Sequence, residues 1–386
     1  MHADPADLLP GYATRAATEA YARTFGAACG AGHYSDFLNQ HLQLSSLGIG
    51  TFPGAANDAV DEAYAIVVAR ALAGGINVID TAVHYRWGRS AVAVGDGLRR
   101  AFDAGVARDQ VYVIGKGGFL LFEEGPPVDL DAWFEAHVAG RGLGRAGERT
   151  GTHLLSPGYL GWQIDRLRAD IGIETLDAFL VDQPEVQVPT LGKEAMHRAL
   201  ERVFAVCELA VKQGRIRAYG ISTFNALRTD TDADDFQSIA ALLGMAQRAA
   251  QRVQGATDAR HGLRLVTAPY NALMPEAFTR FSQATGKGNV ASTVQAAHQL
   301  GVFFAGSHGL AKGRLARPGP GDPLAAHLPG LANPAQRSLQ FNRSTPGVGV
   351  SLVGVHSPER LDDVLAVSRV PPLTREAFLA LWERAG

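Results

Sequence analysis

The segment Ile76-Asn77-Val78-Ile79-Asp80-Thr81-Ala82-Val83-His84-Tyr85 is a mostly apolar run that ends in polar and ionisable residues. A continuous apolar run of this kind is typical of a strand buried on both faces of a parallel sheet. Seven further short runs have the same character, and an alanine-rich segment of helical period follows each. The eight runs begin near Leu44, Ile76, Val111, Leu176, Ile216, Leu263, Val302 and Val350. Eight strand and helix units predict an α/β protein whose parallel sheet closes into a (β/α)8 TIM barrel; an open doubly wound sheet is the alternative.

Helix signals lie between the predicted strands. The segment from Asp58 to Gly74 begins with acidic residues and ends at a glycine, and the segment from Pro157 to Gly172 has a proline in its first turn. Residues 1–43 precede the first strand and carry alanine- and tyrosine-rich helical patterning. We therefore expect an N-terminal extension packed on the barrel, with residues 44–386 forming the barrel and no linker dividing the chain.

The spacing of the strands is even except between the third and the fourth. Residues 119–156 are glycine-rich and charged there, and they include Gly140-Arg141-Gly142-Leu143-Gly144-Arg145. This segment leaves the carboxyl end of the third strand, where barrel active sites lie. We therefore expect a long loop that forms a lid over the substrate, with a disordered surface insertion as the alternative.

Composition favours a small-molecule partner. Of the 386 residues, 46% are hydrophobic and 8% aromatic, which is enough to bury one large core. The 36 basic and 38 acidic residues give a net charge of -2, and neither sign forms a long block. Such a balance argues against nucleic acid and against an anionic membrane as partners. The sequence leaves open whether the chain is a monomer or a homo-oligomer.

Cysteine usage and the N-terminus indicate a cytoplasmic protein. Cys29 and Cys207 are the only cysteines, and their spacing fits neither a disulfide framework nor a zinc site. The N-terminus is acidic and shows no targeting pattern, and no apolar stretch reaches the ~18 residues of a membrane span. We expect no metal.

Polar side chains interrupt the apolar strands at their predicted carboxyl ends, namely Asp80, Lys116, Asp182, Ser222 and Asn271. A buried charge is costly unless it is paired, so Asp80 and Lys116 are expected to be partners. A cation beside Tyr85 would stabilise its phenolate and lower the pKa from ~10 towards working pH. Tyr85 would then serve as general acid or base in a hydride transfer. A structural salt bridge at the barrel rim is the alternative reading of Asp80 and Lys116.

The order and spacing of these motifs resemble the aldo-keto reductase superfamily from about Leu47 to Leu365. The chain looks closest to a bacterial branch that has an N-terminal extension and an Asn-Pro-Glu-like motif after the fourth strand. The matching motifs are Leu47 to Phe52, Ile79 to Tyr85 with Arg86, Gly88, Arg89 and Ser90, Lys116, Leu176-Asp177 through Pro184-Glu185, Gly220-Ile221-Ser222 with Phe224, Pro269-Tyr270-Asn271, Leu310 to Leu315, and Pro346-Gly347-Val348.

The resemblance implies a nicotinamide-dependent oxidoreductase that acts on aldehydes or ketones without a metal and without a Rossmann fold. Tyr85 would donate the proton, while Lys116 and Asp80 would tune it. Gly347 and the turn at residues 350–357 would approach phosphate. The basic side chains near the phosphates favour NADP, with NAD possible. The cofactor-binding residues would be Gly50, Thr51, Ser222, Thr223, Thr267, Ser307, Lys312, Arg314, Val355, Arg360 and Asp363, of which Ser222 would face the nicotinamide carboxamide.

The chain departs from the family at Asp182, where relatives have a catalytic histidine. Neutral imidazole donates a hydrogen bond to a carbonyl oxygen, whereas an ionised carboxylate repels the growing oxyanion. One alternative is a protonated Asp182 that donates, as glutamate does in a related branch that reduces carbon-carbon double bonds. Another is an ionised Asp182 that pairs with an amine or iminium substrate. Further alternatives are a non-redox lyase, dehydratase or isomerase with Asp182 as acid or base, and a catalytically silent binding protein.

Other positions also differ from the family or lie on predicted rim loops. Thr223 and Thr267 stand where relatives commonly have amide side chains, and Ser307 stands where many have an aromatic ring that stacks on nicotinamide. The residues expected to contact the substrate are His84, Trp87 and Tyr270, with ordinary packing as the alternative. His153, in the long loop, could close over the pocket, and His308 could lie near the cofactor diphosphate.

Overall fold

The computed structural model describes residues 8–37, 41–286, 288–317, 324–328 and 330–383. Eight parallel strands close into a barrel, and three two-stranded sheets lie outside it. The strands of this part of the chain are β1 (Tyr34–Phe37), β2 (Leu42–Ser45), β3 (Leu47–Gly50), β4 (Val78–Asp80), β5 (Tyr112–Gly117), β6 (Arg149–Thr150), β7 (His153–Leu154), β8 (Leu176–Asp182), β9 (Ile216–Ser222), β10 (Leu263–Pro269), β11 (Phe281–Gly286), β12 (Asn289–Ser292), β13 (Phe303–Ser307) and β14 (Val350–Gly354).

The barrel runs in the order β3-β4-β5-β8-β9-β10-β13-β14, and β14 pairs with β3 to close it. Each of the eight apolar runs supplies one barrel strand, so the predicted (β/α)8 TIM barrel is confirmed. At Gly220 a side chain is excluded, because a Cβ there would lie 1.6 Å from the carbonyl oxygen of Leu265. The close approach of β9 and β10 therefore depends on this glycine.

Helices fill the connections between the strands. Both predicted helices form: α2 ends one residue before Gly74, and Gly172 caps α5 with φ 79° in the left-handed region. The helices are α1 (Arg15–Phe25), α2 (Asp58–Ala73), α3 (Arg89–Asp103), α4 (Leu130–Phe134), α5 (Pro157–Ile171), α6 (Val188–Leu191), α7 (Lys193–Lys212), α8 (Ile239–Gln254), α9 (Glu276–Thr279), α10 (Thr293–Gln299), α11 (Pro334–Ser344), α12 (Pro358–Ser368) and α13 (Arg375–Glu383).

The hairpin of β1 and β2 covers the amino end of the barrel. The ring of Phe37 lies 5.3 Å from that of Tyr112 and 4.5 Å from that of Phe303, and both partners stand at the first residue of a barrel strand. Ala13 also reaches this end, where its backbone N–H donates to Asp177 at 2.6 Å. Because the hairpin and Ala13 cover the amino end of the barrel, a ligand is expected to bind at the carboxyl end. The division into an extension and a barrel domain stays a prediction.

Residues 119–156 are folded, so the alternative of a disordered insertion is wrong. They contain α4, a π-helical turn at Glu135–Ala139, and the small sheet of β6 and β7. Their apolar side chains form a buried cluster that joins α5 to the insertion, namely Leu120, Phe122, Phe134, Val138, Leu154 and Tyr159. Burial of apolar surface therefore holds the insertion against the barrel.

Both cysteines are buried and free. Across the ranges given above, no three or more histidine, cysteine or acidic side chains are grouped so that they could hold a metal ion. Within the same ranges, none of the helices combines the length and the apolar character needed to cross a bilayer.

Candidate active site

Backbone strain marks the carboxyl end of the barrel. The described part of the chain has seven non-glycine residues with positive φ. Six of them lie in the loops that follow β4, β8 and β13: Arg86, Trp87, Gln183, His308, Ala311 and Lys312. Such conformations are unfavourable for residues with a Cβ and cluster where function requires them. The candidate active site is therefore at the strand ends of this mouth.

Lys116 joins two other ionisable groups at this mouth. Its Nζ atom donates to Oδ2 of Asp80 at 2.8 Å and to Oη of Tyr85 at 3.2 Å. Asp80 and Lys116 are each 4% exposed and Tyr85 is 9% exposed. The arrangement arises because β4 and β5 are neighbours in register and the chain turns sharply after β4. The structure thus brings together three of the four predicted catalytic side chains.

Burial and neighbouring charges together determine whether Tyr85 and Lys116 carry a proton. The pKa of Tyr85 is raised above its ordinary value by burial, which the attraction of Lys116 offsets only in part, while Asp182 and Asp80 raise it further. Burial acts to lower the pKa of Lys116, but its interactions with Asp80, Tyr85 and Asp182 outweigh burial and raise that pKa. The expectation that the pKa of Tyr85 falls towards working pH is therefore wrong for this structure. Tyr85 keeps its proton, as a proton donor must.

Asp182 lies at the end of β8, opposite Ser222 at the end of β9. Burial raises the pKa of Asp182 to about 6, although Lys116 and a hydrogen bond with the Ser222 side chain act to lower it. Its carboxylate lies 3.9 Å from Nε2 of His84. Burial, Lys116 and His153 lower the pKa of His84 to about 3. At neutral pH the site therefore pairs an ionised Asp182 with an uncharged His84.

The raised pKa of Asp182 makes a prediction about stability. Its folded-state pKa of about 6 exceeds its ordinary value of 3.8, so folding is favoured below 3.8 and that contribution is lost as pH rises through 6. The shift corresponds to about 3 kcal/mol. We expect Asp182→Asn to raise the free energy of unfolding by up to this amount above pH 6, because asparagine carries no charge to bury. Chemical unfolding of both proteins across the pH range measures it. A gain that does not shrink on acidification would contradict the assigned shift.

His153 is buried beside the backbone of Asp182, so the expectation that it closes over the pocket is wrong. Its Nε2 lies 2.8 Å from the carbonyl oxygen of Asp182, and Nε2 of Gln187 lies 2.9 Å from its Nδ1. Because the Gln187 amide donates to Nδ1, the imidazole proton lies on Nε2 and is donated to the carbonyl. Gly118 must lack a side chain here, since a Cβ would lie 2.9 Å from the same carbonyl oxygen. The insertion thus fixes the backbone of Asp182 through the hydrogen bond from His153.

Several predicted cofactor residues lie at or just beyond the ends of β3, β9 and β10, at the same mouth of the barrel as Asp80, Tyr85 and Lys116. Gly50 lies beside Asp80, and the hydroxyl of Thr51 donates to Thr81 at 2.8 Å. Ser222 and Thr267 are register partners, and Thr223 donates to the carbonyl oxygen of Thr267. Oγ1 of Thr267 is buried without a hydrogen-bond partner among the described residues. An unpartnered buried hydroxyl at a strand end can hydrogen bond to a ligand amide.

The loop after β13 carries three further predicted residues. The hydroxyl of Ser307 lies 3.1 Å from Nδ1 of His308, whose ring packs edge-on against Phe224. Lys312 and Arg314 are exposed in the strained turn that follows. Exposed cations on a loop at the mouth can approach the phosphates of a ligand.

The remaining predicted cofactor residues lie after β14. Val355 is 2% exposed, whereas Arg360 is exposed in the first turn of α12. The carboxylate of Asp363 accepts hydrogen bonds from Asn333 at 2.7 Å and from Gln336 at 2.8 Å. Asp363 therefore ties α12 to α11, while Arg360 stays available to a ligand.

Two expectations about this site are corrected by the structure. Tyr270 is fully buried, stacks on Phe341 and accepts a hydrogen bond from Thr345, so it belongs to the core and not to a substrate-facing rim. Gly347 precedes β14 and packs against Val294, at the opposite end of the barrel from Tyr85. It therefore does not approach a phosphate bound at the mouth.

Two exposed aromatic side chains lie near Tyr85, one two residues further along the chain and one in contact with its ring. Trp87 is 40% exposed in the strained turn after Tyr85. Phe52 is 61% exposed, and its ring packs edge-on against Tyr85 at 5.1 Å. Sequence reasoning missed Phe52, although its place directly after the first barrel strand was a usable signal. Exposed rings beside a proton donor can form the walls of a substrate pocket.

The chain is similar to known proteins in sequence and fold. The family profile described as Aldo/keto reductase family matches residues 46–383, whereas no curated protein matches. An aldo/keto reductase from Klebsiella pneumoniae in complex with NADP and acetate is 17% identical with a TM-score of 0.56, over 91% of this chain and 95% of that one. The holo form of aldo-keto reductase AKR11C1 from Bacillus halodurans is 17% identical with a TM-score of 0.57, over 91% and 95%. The thermostable aldo-keto reductase Tm1743 with the inhibitor epalrestat is 16% identical with a TM-score of 0.56, over 90% and 98%.

The structural likenesses establish the shared barrel, and the profile extends from the first barrel strand into α13. Together with the closed eight-stranded barrel, this match shows that the chain belongs to the aldo/keto reductase family of oxidoreductases.

Proposed function

We propose that the protein is an NADP-dependent oxidoreductase that transfers hydride to or from a carbonyl, imine or activated carbon-carbon double bond of a small molecule. One observation carries this proposal: a buried lysine holds a buried tyrosine hydroxyl at 3.2 Å while an aspartate holds the lysine at 2.8 Å. The phenol is protonated and lies beside a cation that can stabilise the phenolate after the proton leaves. A structural ion pair alone has no need of the tyrosine hydroxyl.

The residues at the mouth fit a nicotinamide dinucleotide. Thr267 offers an unpartnered buried hydroxyl, as a ligand amide requires. Lys312, Arg314 and Arg360 are exposed cations that could pair with phosphates, and the N-terminus of α12 adds the positive end of a helix. The related Klebsiella pneumoniae structure is a complex with NADP. The bound nucleotide would supply or accept the hydride.

The proton would be donated or accepted by side chains of the protein itself. In a reduction, Tyr85 gives its hydroxyl proton to the oxygen of a carbonyl, the nitrogen of an imine or the second carbon of a double bond, and Lys116 stabilises the phenolate that remains. Asp80 keeps Lys116 charged and in place. Asp182 selects the substrate, because a buried carboxylate opposes negative charge that develops on a nearby oxygen. General acid catalysis of this kind contributes roughly 10²–10⁴-fold to the rate.

A substrate survey tests the proposal. Purified protein is mixed with NADPH, or with NADH for comparison, and with aldehydes, ketones, cyclic imines and conjugated enones, while nicotinamide absorbance is followed. We expect enzyme-dependent loss of reduced nicotinamide with at least one class, faster with NADPH because of the three exposed cations. A control without substrate removes background oxidation.

Product analysis separates this outcome from the alternatives. Substrate converted without net change in nicotinamide would identify a non-redox lyase, dehydratase or isomerase and would overturn the proposal. The absence of both nucleotide binding and conversion would overturn it as well, and would favour a binding protein.

A further inference from the structure

A donor and an acceptor face each other across a gap at the mouth of the barrel. Nε2 of His84 and Oδ2 of Asp182 are 3.9 Å apart, which is too long for a direct hydrogen bond. The imidazole is 19% and the carboxylate 5% exposed, so the gap is largely shielded from solvent. Two polar atoms at this separation can both hydrogen bond to one oxygen atom placed between them.

His84 offers an N–H to this gap. Its Nδ1 is buried and lacks a hydrogen-bond partner within the described residues. Because an unpaired buried N–H is rarer and more costly than an unpaired acceptor, the imidazole proton belongs on Nε2. The ring is neutral, since burial, Lys116 and His153 lower its pKa to about 3. His84 is therefore a donor that does not neutralise the charge of Asp182.

Asp182 offers an acceptor to the same gap above pH 6. The titratable and charged groups that act on it or respond to it are Lys116, Asp80, Tyr85, Glu185 and His84. Lys116, the cation among them, already donates to Asp80 and Tyr85. Ser222 provides one donor, and a carboxylate has room for more.

Packing and a hydrogen bond hold both His84 and Asp182 in place. The ring of Phe119 lies 5.0 Å from that of His84 and 4.9 Å from that of His153. His153 in turn donates to the backbone of Asp182. The three rings therefore fix the gap as a preformed feature, which lowers the entropy lost when a ligand enters it.

The ring of His84 lies 4.9 Å from that of Tyr85, so a group held at the gap is close to an atom that receives the proton of Tyr85. We propose that His84 and Asp182 together bind a hydroxyl group of the substrate, so that the preferred substrate is a carbonyl compound with a hydroxyl next to the reacting carbon. The inference rests on the proposed function and gives its substrate class. The hydroxyl accepts a hydrogen bond from Nε2 of His84 and donates its own proton to Oδ2 of Asp182. A simple ketone has no such proton, so the carboxylate gains no donor beyond Ser222 and opposes the charge on the reacting oxygen.

Matched substrates test the inference by activity. We expect kcat/KM for hydroxyacetone to exceed that for acetone by roughly 10- to 100-fold above pH 6, the range for a hydrogen bond to a charged group. The preference should fall as pH drops through about 6, where Asp182 takes up a proton. Asp182→Leu and His84→Phe should each reduce the preference for hydroxyacetone to a few-fold. Phenylalanine at position 84 keeps the ring contacts with Phe119 and Tyr85. His137→Phe, at an exposed histidine of the insertion, should not change it.

A second readout needs no nucleotide. In the protein alone, side-chain nitrogen and proton NMR signals of His84 should shift on addition of hydroxyacetone and not of acetone, and Asp182→Leu should remove the shift. Equal effects of the two ketones, or none in either experiment, would overturn the inference. Turnover without a hydroxyl preference would leave the proposed function standing and remove only this inference. A hydroxyl-dependent NMR shift in a protein that oxidises no NADPH would support the binding of a hydroxyl by His84 and Asp182 and overturn the proposed function.

Discussion

Replacing Lys116 by methionine is expected to lower the free energy of unfolding by about 3–5 kcal/mol, the usual effect of removing one partner from a buried ion pair. Lys116 and Asp80 are 2.8 Å apart with side chains only 5% and 6% exposed. Without the ammonium, the carboxylate of Asp80 is buried with neither a counter-charge nor its main hydrogen-bond donor. Oδ1 of Asp80 already has no partner in the described residues, so the protein offers no substitute.

The double variant Asp80→Asn with Lys116→Met distinguishes the cost of an unpaired buried charge from the cost of altered packing. It should recover much of the lost stability, because no buried charge is left without a partner. Arg100→Met is the matched control: Arg100 pairs with Glu62 at 2.7 Å, but the side chains are 44% and 56% exposed, so the loss should stay below about 1 kcal/mol. Urea unfolding followed by tryptophan fluorescence measures the unaltered protein, these three variants and the single variant Asp80→Asn, which completes the cycle. Additive effects of the two substitutions would contradict the burial of the pair.

The barrel could be predicted from sequence because its strands are apolar runs of the right length, separated by helical segments. The hairpins could not. β1 reads Tyr34-Ser35-Asp36-Phe37, which is short and half polar, and of its four side chains only Phe37 is fully buried. In β11 and β12, too, buried and exposed positions do not follow the strict alternation of a half-buried strand. Short strands whose partners lie in the same hairpin carry too weak a periodic signal.

The site was predictable where it depends on strand ends and unpredictable where it depends on burial or on long-range contacts. Asp80, Lys116 and Asp182 stand at strand ends, where the barrel brings them together. The pKa of Tyr85 is a balance between burial and charge that needs coordinates. His153 reaches Asp182 from an insertion whose path no local pattern reveals.

Replacing Tyr85 by phenylalanine is expected to slow hydride transfer by about 10²–10⁴-fold, because the substitution removes the proposed proton donor and little else. Among the described residues, the hydroxyl oxygen that is lost accepts a hydrogen bond from Lys116 at 3.2 Å. The ring contacts with Phe52 and His84 are retained. We therefore expect nucleotide affinity and folding to be nearly unchanged, so that the defect lies in the chemical step.

Tyr34→Phe serves as the matched control. It also removes a tyrosine hydroxyl, which donates to the carbonyl oxygen of Gly75 at 2.8 Å, on the hairpin at the other end of the barrel. Its turnover should equal that of the unaltered protein. A loss shared by both variants would indicate general destabilisation and not the loss of a proton donor.

In the proposed reaction Tyr85, held by Lys116 at the mouth of the barrel, passes a proton while hydride moves. The most direct measurement is single-turnover oxidation of bound NADPH by a substrate from the survey, in the unaltered protein and in Tyr85→Phe, with NADPH affinity measured by fluorescence in both. We expect equal affinities and a hydride-transfer rate at least ~100-fold lower in the variant. Equal rates in the two proteins, at equal nucleotide occupancy, would contradict it.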